Sequence, residues 1–385
     1  MALGLGQHHC CRFDSIPEVP CNGALIKVHY AGAYMASNIP IRSRAFSTGS
    51  SASDSTPNQL NLRAARNSVD EEDDSSDEEK LVILRNSSGR TKDVNSGGSP
   101  SLAPKIEICG RIEWLGEDVD EEMTNLDIGD AVLVLPDDES FQSSEYLEYV
   151  SVSKLSDLVL LPQALSMEAA VQIPTGAYSV LPVLKSVREH CLKSEYKDPP
   201  KALLVGTDEL VRWAISLWPN IFGVLGDGCQ LTLALQDDSS LWFEKFHESI
   251  NLVQWDNDVY DAQLIERTEQ VCHGKVDIIL DLEGSPKFFK RSMSCLRTNG
   301  HAFIGKSTLN SSMKNFITKT FKKDVHVIYV DNGTTDDFQE LIRAVINGQT
   351  QMLPYQVFTT TQAGEVRRAL SSHSRPFRPI FKLIE

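Results

Sequence analysis

The chain has 385 residues, enough for two domains or for one domain with a large appendage, and its 41% hydrophobic content supports real cores. A formal net charge of −16 excludes a basic nucleic-acid footprint and disfavours docking on an anionic membrane surface. No stretch approaches the ~18 apolar residues that span a bilayer, and the N-terminus lacks the apolar core of a secretory signal.

The first residues carry His8, His9, Cys10 and Cys11. No second ligand pair follows at metal-site spacing, so a plain tail is the better reading than a metal cluster. Residues 1–13 hold Arg12 as their single Lys or Arg, which is thin for a transit peptide. The eight cysteines fall at 10, 11, 21, 109, 191, 229, 272 and 295, with no C-x-x-C spacing, as expected in a reducing, cytoplasmic setting.

Residues 24–32 alternate like a half-buried strand that ends at the turn glycine Gly32. Composition then collapses into serines, glycines and the run Asp70–Glu79. Residues 47–103 therefore read as a disordered acidic insertion, unable to bury enough apolar surface to offset its ordering entropy. Ser75 and Ser76 each precede a glutamate by three residues, a setting for an acid-directed kinase, although a solvated linker explains the composition as well. From Ile106 to Val152, short strands separated by charged turns predict a small β-barrel or sandwich.

After about residue 200 the rhythm changes. Strands are predicted at Ala202–Val205, Gln230–Leu235, Val276–Asp281, His301–Ile304 and Val325–Val330. Helical spacing separates most of them, at 210–218, 241–250, 262–271 and 288–296. Alternation of this kind specifies a doubly wound parallel sheet. The chain is thus expected to be α/β, with a β-barrel domain ahead of a Rossmann-like domain. The boundaries are 1–46 and 104–185 for the barrel, with 340–385 returning to it, and 186–339 for the Rossmann-like part.

Several stretches in register resemble the medium-chain dehydrogenase/reductase superfamily. They are Leu25–Gly32, Gly129-Asp-Ala-Val132, Glu145–Val152 with Leu161-Pro162, Met167–Ala170 with Ile173-Pro174, Gly274–Asp281 and Leu296–Gly305. The acidic Leu135–Glu139 and the run Phe303–Lys306 look closest to the quinone-oxidoreductase-like and enoyl-reductase branches. This resemblance implies a GroES-like barrel, an NAD(P)H cofactor and hydride transfer to an enone or quinone-like small molecule. It also implies no zinc: Ala33-Tyr34 stands where a ligand cysteine falls in the zinc enzymes, no Gly-His-Glu follows, and the four-cysteine lobe is missing. Relatives also dimerise through an edge strand, which would fall near Val325–Val330.

The resemblance places cofactor contacts at Gly206, Thr207, Ser179 and Gly305, and substrate entry near Tyr34 and Ser37. It singles out no catalytic residue. Tyr34 is a conceivable proton donor, but a packed aromatic is the plainer role. Lys306 near the cofactor reads more simply as a surface lysine. The glycine fingerprint G-x-G-x-x-G falls on Gly206, Asp208 and Val211, so only its first glycine survives. Asp208 and Glu209 put carboxylates where a diphosphate should meet amide donors; at ~5 Å and an effective dielectric of ~20 each pair costs about 3 kcal/mol. Asp237 and Asp238 follow the second strand, where an acid can hold the NAD ribose, but a helix N-cap explains them better. Arg378-Pro379 replaces the Gly-Lys that relatives show before the last strand. These departures keep a second reading open: a non-catalytic binding or scaffold protein that retains the fold.

Overall fold

The computed structural model describes residues 16–35, 102–103, 107–120, 124–135, 146–194, 196–206, 208–223, 228–235, 250–256, 258–309, 311–320, 325–371 and 377–384. Two units divide the chain, residues 1–40 with 100–385 and residues 41–99. The second unit lies outside the described residues, as do the acidic run, Ser75 and Ser76, and the His8–Cys11 cluster.

The barrel strands are β1 (Ala24–Gly32), β2 (Tyr34–Met35), β3 (Leu102–Ala103), β4 (Ile108–Leu115), β5 (Ala131–Val134), β6 (Tyr149–Val152) and β7 (Leu158–Leu160). Short β2 pairs with β3, so the last residues of the stretch read as an insertion are strand. Helix α1 (Met167–Ala170) starts where the Ser166 hydroxyl caps the Ala169 amide at 3.3 Å. A π-helical turn over Thr175–Val180 then leads into α2 (Leu181–Lys193).

The Rossmann-like part runs β8 (Lys201–Gly206), α3 (Asp208–Phe222), β9 (Gln230–Leu235), β10 (Asn251–Gln254), α4 (Asp261–Val271), β11 (Val276–Leu282), α5 (Pro286–Cys295), β12 (Leu296–Gly305), α6 (Ser311–Thr320) and β13 (His326–Val330). Next come α7 (Thr335–Ile346), opened by a Thr334/Asp337 capping box, then β14 (Tyr355–Thr359), α8 (Ala363–Ser371) and β15 (Arg378–Lys382). The predicted strands and the helices near 210–218, 262–271 and 288–296 are present. The helix expected over 241–250 falls almost wholly outside the described residues.

Six parallel strands lie in the order β10-β9-β8-β11-β12-β13. Both faces of the central strands are covered, which is why β8 reads as the unbroken apolar run Ala202–Val205. Leu204, Leu233 and Leu280 share a core with Val183, Val211 and Ala214 of α2 and α3. Their neighbours Leu203, Val205 and Ile279 face the other way, towards Leu264, Phe289 and Met313 of α4, α5 and α6. The barrel sheet has the order β14-β15-β1-β4-β5-β7, with β6 also on β1. Strand β15 lies between β14 and β1, so the C-terminus of the chain closes the sheet that its first strand begins.

Candidate functional site

In an open parallel sheet, ligands sit beyond the carboxyl ends of the strands, where the strand order reverses. Here that point lies between β8 and β11. Gly206 ends β8 and pairs with Leu282 of β11, while Asp281 faces Val205 on one side and Ile304 on the other. Gly305 ends β12, so the glycines expected to meet the cofactor close strands on either side of β11.

At Gly206 a Cβ would stand 3.0 Å from the Leu282 Cβ and 3.2 Å from Val211 Cγ2. Val211 therefore uses the room that the missing side chain leaves. The strand and helix stay close although the third fingerprint glycine is gone. Helix α3 starts directly afterwards, and its first-turn amides have no partners within the helix. Thr207 and the side chain of Asp208 lie outside the described residues, as do Asp237, Asp238, Ser37 and the side chain of Tyr34.

Glu209 has a cation opposite it. Arg378 Nη1 reaches its carboxylate at 2.9 Å, and Nη2 of the same guanidinium donates to Glu107 Oε2 at 2.8 Å. The Thr175 hydroxyl donates to the other Glu107 oxygen at 2.5 Å. Glu107 is 0% exposed and Arg378 is 7% exposed, so this network links the barrel to the first turn of α3 inside the protein. Its geometry requires Gly32, where a Cβ would fall 2.0 Å from Glu107 Oε2. Arg378, a departure from the relatives' Gly-Lys, is thus the partner of the acid in the first turn of α3.

Around Gly305 and Tyr178 the contacts run largely through backbone. Ser179 is buried in the π-helical turn, and its carbonyl lies 3.6 Å from the Cβ position of Gly305. Gly333 donates its N–H to the Tyr178 carbonyl at 2.9 Å, and Asn332 Nδ2 donates to the Tyr178 hydroxyl at 2.6 Å. Ser179 and Gly305 are therefore neighbours, with Gly206 two strands away. Lys306, adjacent to them, pairs with Asp331 and is half-exposed.

Asp281 is a second buried acid. Its Oδ1 accepts the amides of Glu283 at 3.0 Å and Gly284 at 2.9 Å, while Oδ2 is buried with no hydrogen-bond partner. Gly284 takes φ +68°, and a Cβ there would strike the Thr308 carbonyl at 2.2 Å. Burial pushes the Asp281 carboxyl up to about 7, against a smaller lowering by the two amides. Sequence reading found this residue only as the end of a strand. Among the described residues no group of three or more His, Cys, Asp or Glu is arranged to hold a metal ion.

A family model described as zinc-binding dehydrogenase matches residues 256–375. No curated protein sequence matches the chain. Among solved structures, an NAD-dependent alcohol dehydrogenase is similar at TM-score 0.57 and 13% identity, over 97% of this chain and 95% of that one. The quinone oxidoreductase from Coxiella burnetii aligns at 0.56 and 15% identity, over 96% and 93%. The CurK enoyl reductase aligns at 0.53 and 13%, over 96% and 93%. Both the superfamily resemblance and the two-part α/β expectation are borne out: the chain carries the medium-chain dehydrogenase/reductase fold, and its stretch 256–375 carries the sequence pattern of a zinc-binding dehydrogenase.

Proposed function

We propose that the chain is a zinc-independent, NAD(P)H-dependent oxidoreductase of quinone-oxidoreductase-like type, reducing an enone or quinone-like small molecule. The observation that carries this reading is the ion pair between Arg378 and Glu209. It offsets part of the negative charge that would otherwise repel a diphosphate at the start of α3. Gly206, Thr207 and the first amides of that helix then bind the diphosphate, while Ser179 and Gly305 border the nicotinamide. The bound dihydronicotinamide supplies the hydride. The protein orients it and keeps the crevice dry, with the substrate entering past Tyr34 and Ser37. Zinc independence is supported by Ala33-Tyr34 in the ligand-cysteine position and by Glu107, whose two oxygens are taken by Thr175 and Arg378.

A cytoplasmic setting is supported by the cysteines that are free among the described residues. No helix among the described residues is long and apolar enough to cross a membrane. The edge strand β13, with Tyr329 46% exposed, is the surface through which two copies would pair.

A second reading, a binding protein that keeps the fold without the cofactor, is favoured by the same arginine. Arg378 already answers two carboxylates, so the cluster of Glu107, Arg378 and Glu209 keeps a formal charge of −1 when a phosphate arrives. Thermal shift with NADPH and NADH separates the two. Saturable stabilisation at micromolar nucleotide, about 2.7 kcal/mol at ~100 times Kd, is expected for the reductase. No shift at millimolar nucleotide overturns it and leaves the binding protein.

A further inference from the structure

Arg378 holds two carboxylates in unlike settings. Its Nη2 donates to Glu107 Oε2 at 2.8 Å, and the Thr175 hydroxyl fixes the other Glu107 oxygen at 2.5 Å. Glu107 is 0% exposed and lies against Gly32, where an added Cβ would come 2.9 Å from the Glu107 Cβ. That carboxylate has no room to turn. Nη1 meets Glu209 at 2.9 Å, and there the carboxylate side chain is 20% exposed. Glu209 is the second residue of α3, in the turn whose amides lack partners within the helix.

A guanidinium is planar, so fixing one arm of its fork also fixes where the other arm points. With Nη2 locked on Glu107, Nη1 stays aimed at the first turn of α3 whichever anion lies there. Carboxylates and phosphates are the two anions that such a fork accepts best. Of the two partners, Glu209 is the one that can be displaced, because water can take over the pairing of a part-exposed carboxylate. Displacing Glu107 instead would leave a buried charge unanswered. One side chain thus carries an anchored arm and an exchangeable arm. Lys306 offers a contrast: it pairs with Asp331, and both side chains are more than half exposed, so nothing anchors its aim.

We propose that Glu209 is a built-in competitor for the nucleotide's diphosphate, holding the Nη1 arm of Arg378 until a phosphate displaces it. The inference rests on the reductase reading, because it names the residue that limits affinity at that same site. On exchange no covalent bond changes: Nη1 passes from carboxylate to phosphate, and Glu209 turns towards solvent. Arg378 becomes a ligand contact only in the bound state. Glu209 weakens binding twice, by occupying the arm beforehand and by leaving its charge beside the phosphate afterwards.

Calorimetric titration of the full chain with ADP-ribose, which carries the diphosphate without the nicotinamide, tests this, with adenosine as the control. Glu209→Gln should bind ADP-ribose roughly tenfold more tightly than the parent, the effect of one part-exposed charge at ~5 Å. Adenosine affinity should be the same in both. Arg378→Lys keeps a cation for Glu107 but offers no second arm, so adding Glu209→Gln to it should gain much less. An unchanged ADP-ribose affinity in Glu209→Gln overturns the proposal, as does an equal gain for adenosine or the full gain in the Arg378→Lys background. Should Arg378→Lys fail to fold, the first two results still decide. NADH and NADPH separate this inference from the reading beneath it. Nucleotide binding by the parent with no gain in Glu209→Gln sinks the inference alone; no binding of any of these nucleotides by either protein sinks both.

Discussion

Two carboxylates, Glu107 and Asp281, are each 0% exposed, yet they are housed in opposite ways. Glu107 sits at the barrel side of the crevice with both oxygens engaged, by a hydroxyl and by a guanidinium. Asp281 sits at the end of β11 with one oxygen on two amides and the other on nothing. A buried anion needs a matching charge and filled lone pairs; without them it takes up a proton instead. The difference teaches that the junction between the two halves is organised by charge, whereas the parallel sheet tolerates an acid only by weakening its ionisation.

The largest effect should come from breaking the charged side of this comparison. Arg378→Met removes the cation from Glu107 and Glu209 together and leaves Glu107 buried with the Thr175 hydroxyl but no opposite charge, at a cost of about 3–5 kcal/mol. Denaturant midpoints at unchanged m-value would read it. Glu209→Gln should cost far less, because its side chain is 20% exposed and water can take over part of the pairing. A double variant carrying Glu107→Gln with Arg378→Met should recover part of the loss. A loss no larger than that of Glu209→Gln would show that the junction does not depend on the ion pairs.

Asp281→Asn comes next and should act in the opposite sense. The carboxyl moves from 3.8 to about 7 on folding, so the folded state holds the extra proton between those values. The stability linked to this proton is complete below the unfolded value. It is lost as pH rises towards 7 and then levels off, by at most about 4 kcal/mol. Asparagine imitates the protonated acid and keeps an acceptor for the Glu283 and Gly284 amides. The variant should match the parent near pH 4 and exceed it near pH 8 in a series of melts. An unchanged difference across that range would sink the assignment of a raised carboxyl.

How these acids are housed could not be read from the chain. The strands were legible because the parallel sheet is covered on both faces, which leaves apolar runs such as Ala202–Val205 and Val276–Leu282 with no competing pattern. Strand β10 was not: it is an edge strand of four residues, exposed at Asn251, Leu252 and Gln254, so only Val253 marks it. The first half of β12 was marked only by the resemblance of Leu296–Gly305 to relatives, not by periodicity, for a related reason. Arg297, Thr298 and Asn299 are exposed, and Asn299 takes φ +60°, so composition there looks like a turn. Gly206, Ser179 and Gly305 were singled out through motif positions, and the fold sets the last two side by side. Arg378 was visible only as a mismatch. Its partners lie at 107 and 209, and nothing local in Arg378-Pro-Ile-Phe signals a guanidinium that crosses between two domains. Pairings at such separations are fixed by topology, through β15 closing the barrel beside β1.

The smallest effect tests the comparison with a base in place of an acid. His301 on β12 lies between His190, tilted at 4.1 Å between ring centroids, and His326, stacked at 4.8 Å; its Nδ1 is buried without a partner. Burial first, then the neighbouring histidines and Arg297, lower it from 6.5 to about 4. A depressed histidine is neutral in the fold. Its stabilisation is therefore complete above pH 6.5 and is lost as pH falls towards 4. The ring is partly open to solvent, so screening keeps the loss to about 1 kcal/mol or less. His301→Phe keeps a ring against His190 and His326 while removing the titration, so melting temperature should fall less on acidification than in the parent. This slope opposes that of Asp281 through the same pH range, so the parent profile hides part of both. Combining His301→Phe with Asp281→Asn should leave a flatter curve than either alone. A parent-like acid slope in the His301→Phe protein would mean that the histidine stack carries no proton linkage and that other groups set the acid limb.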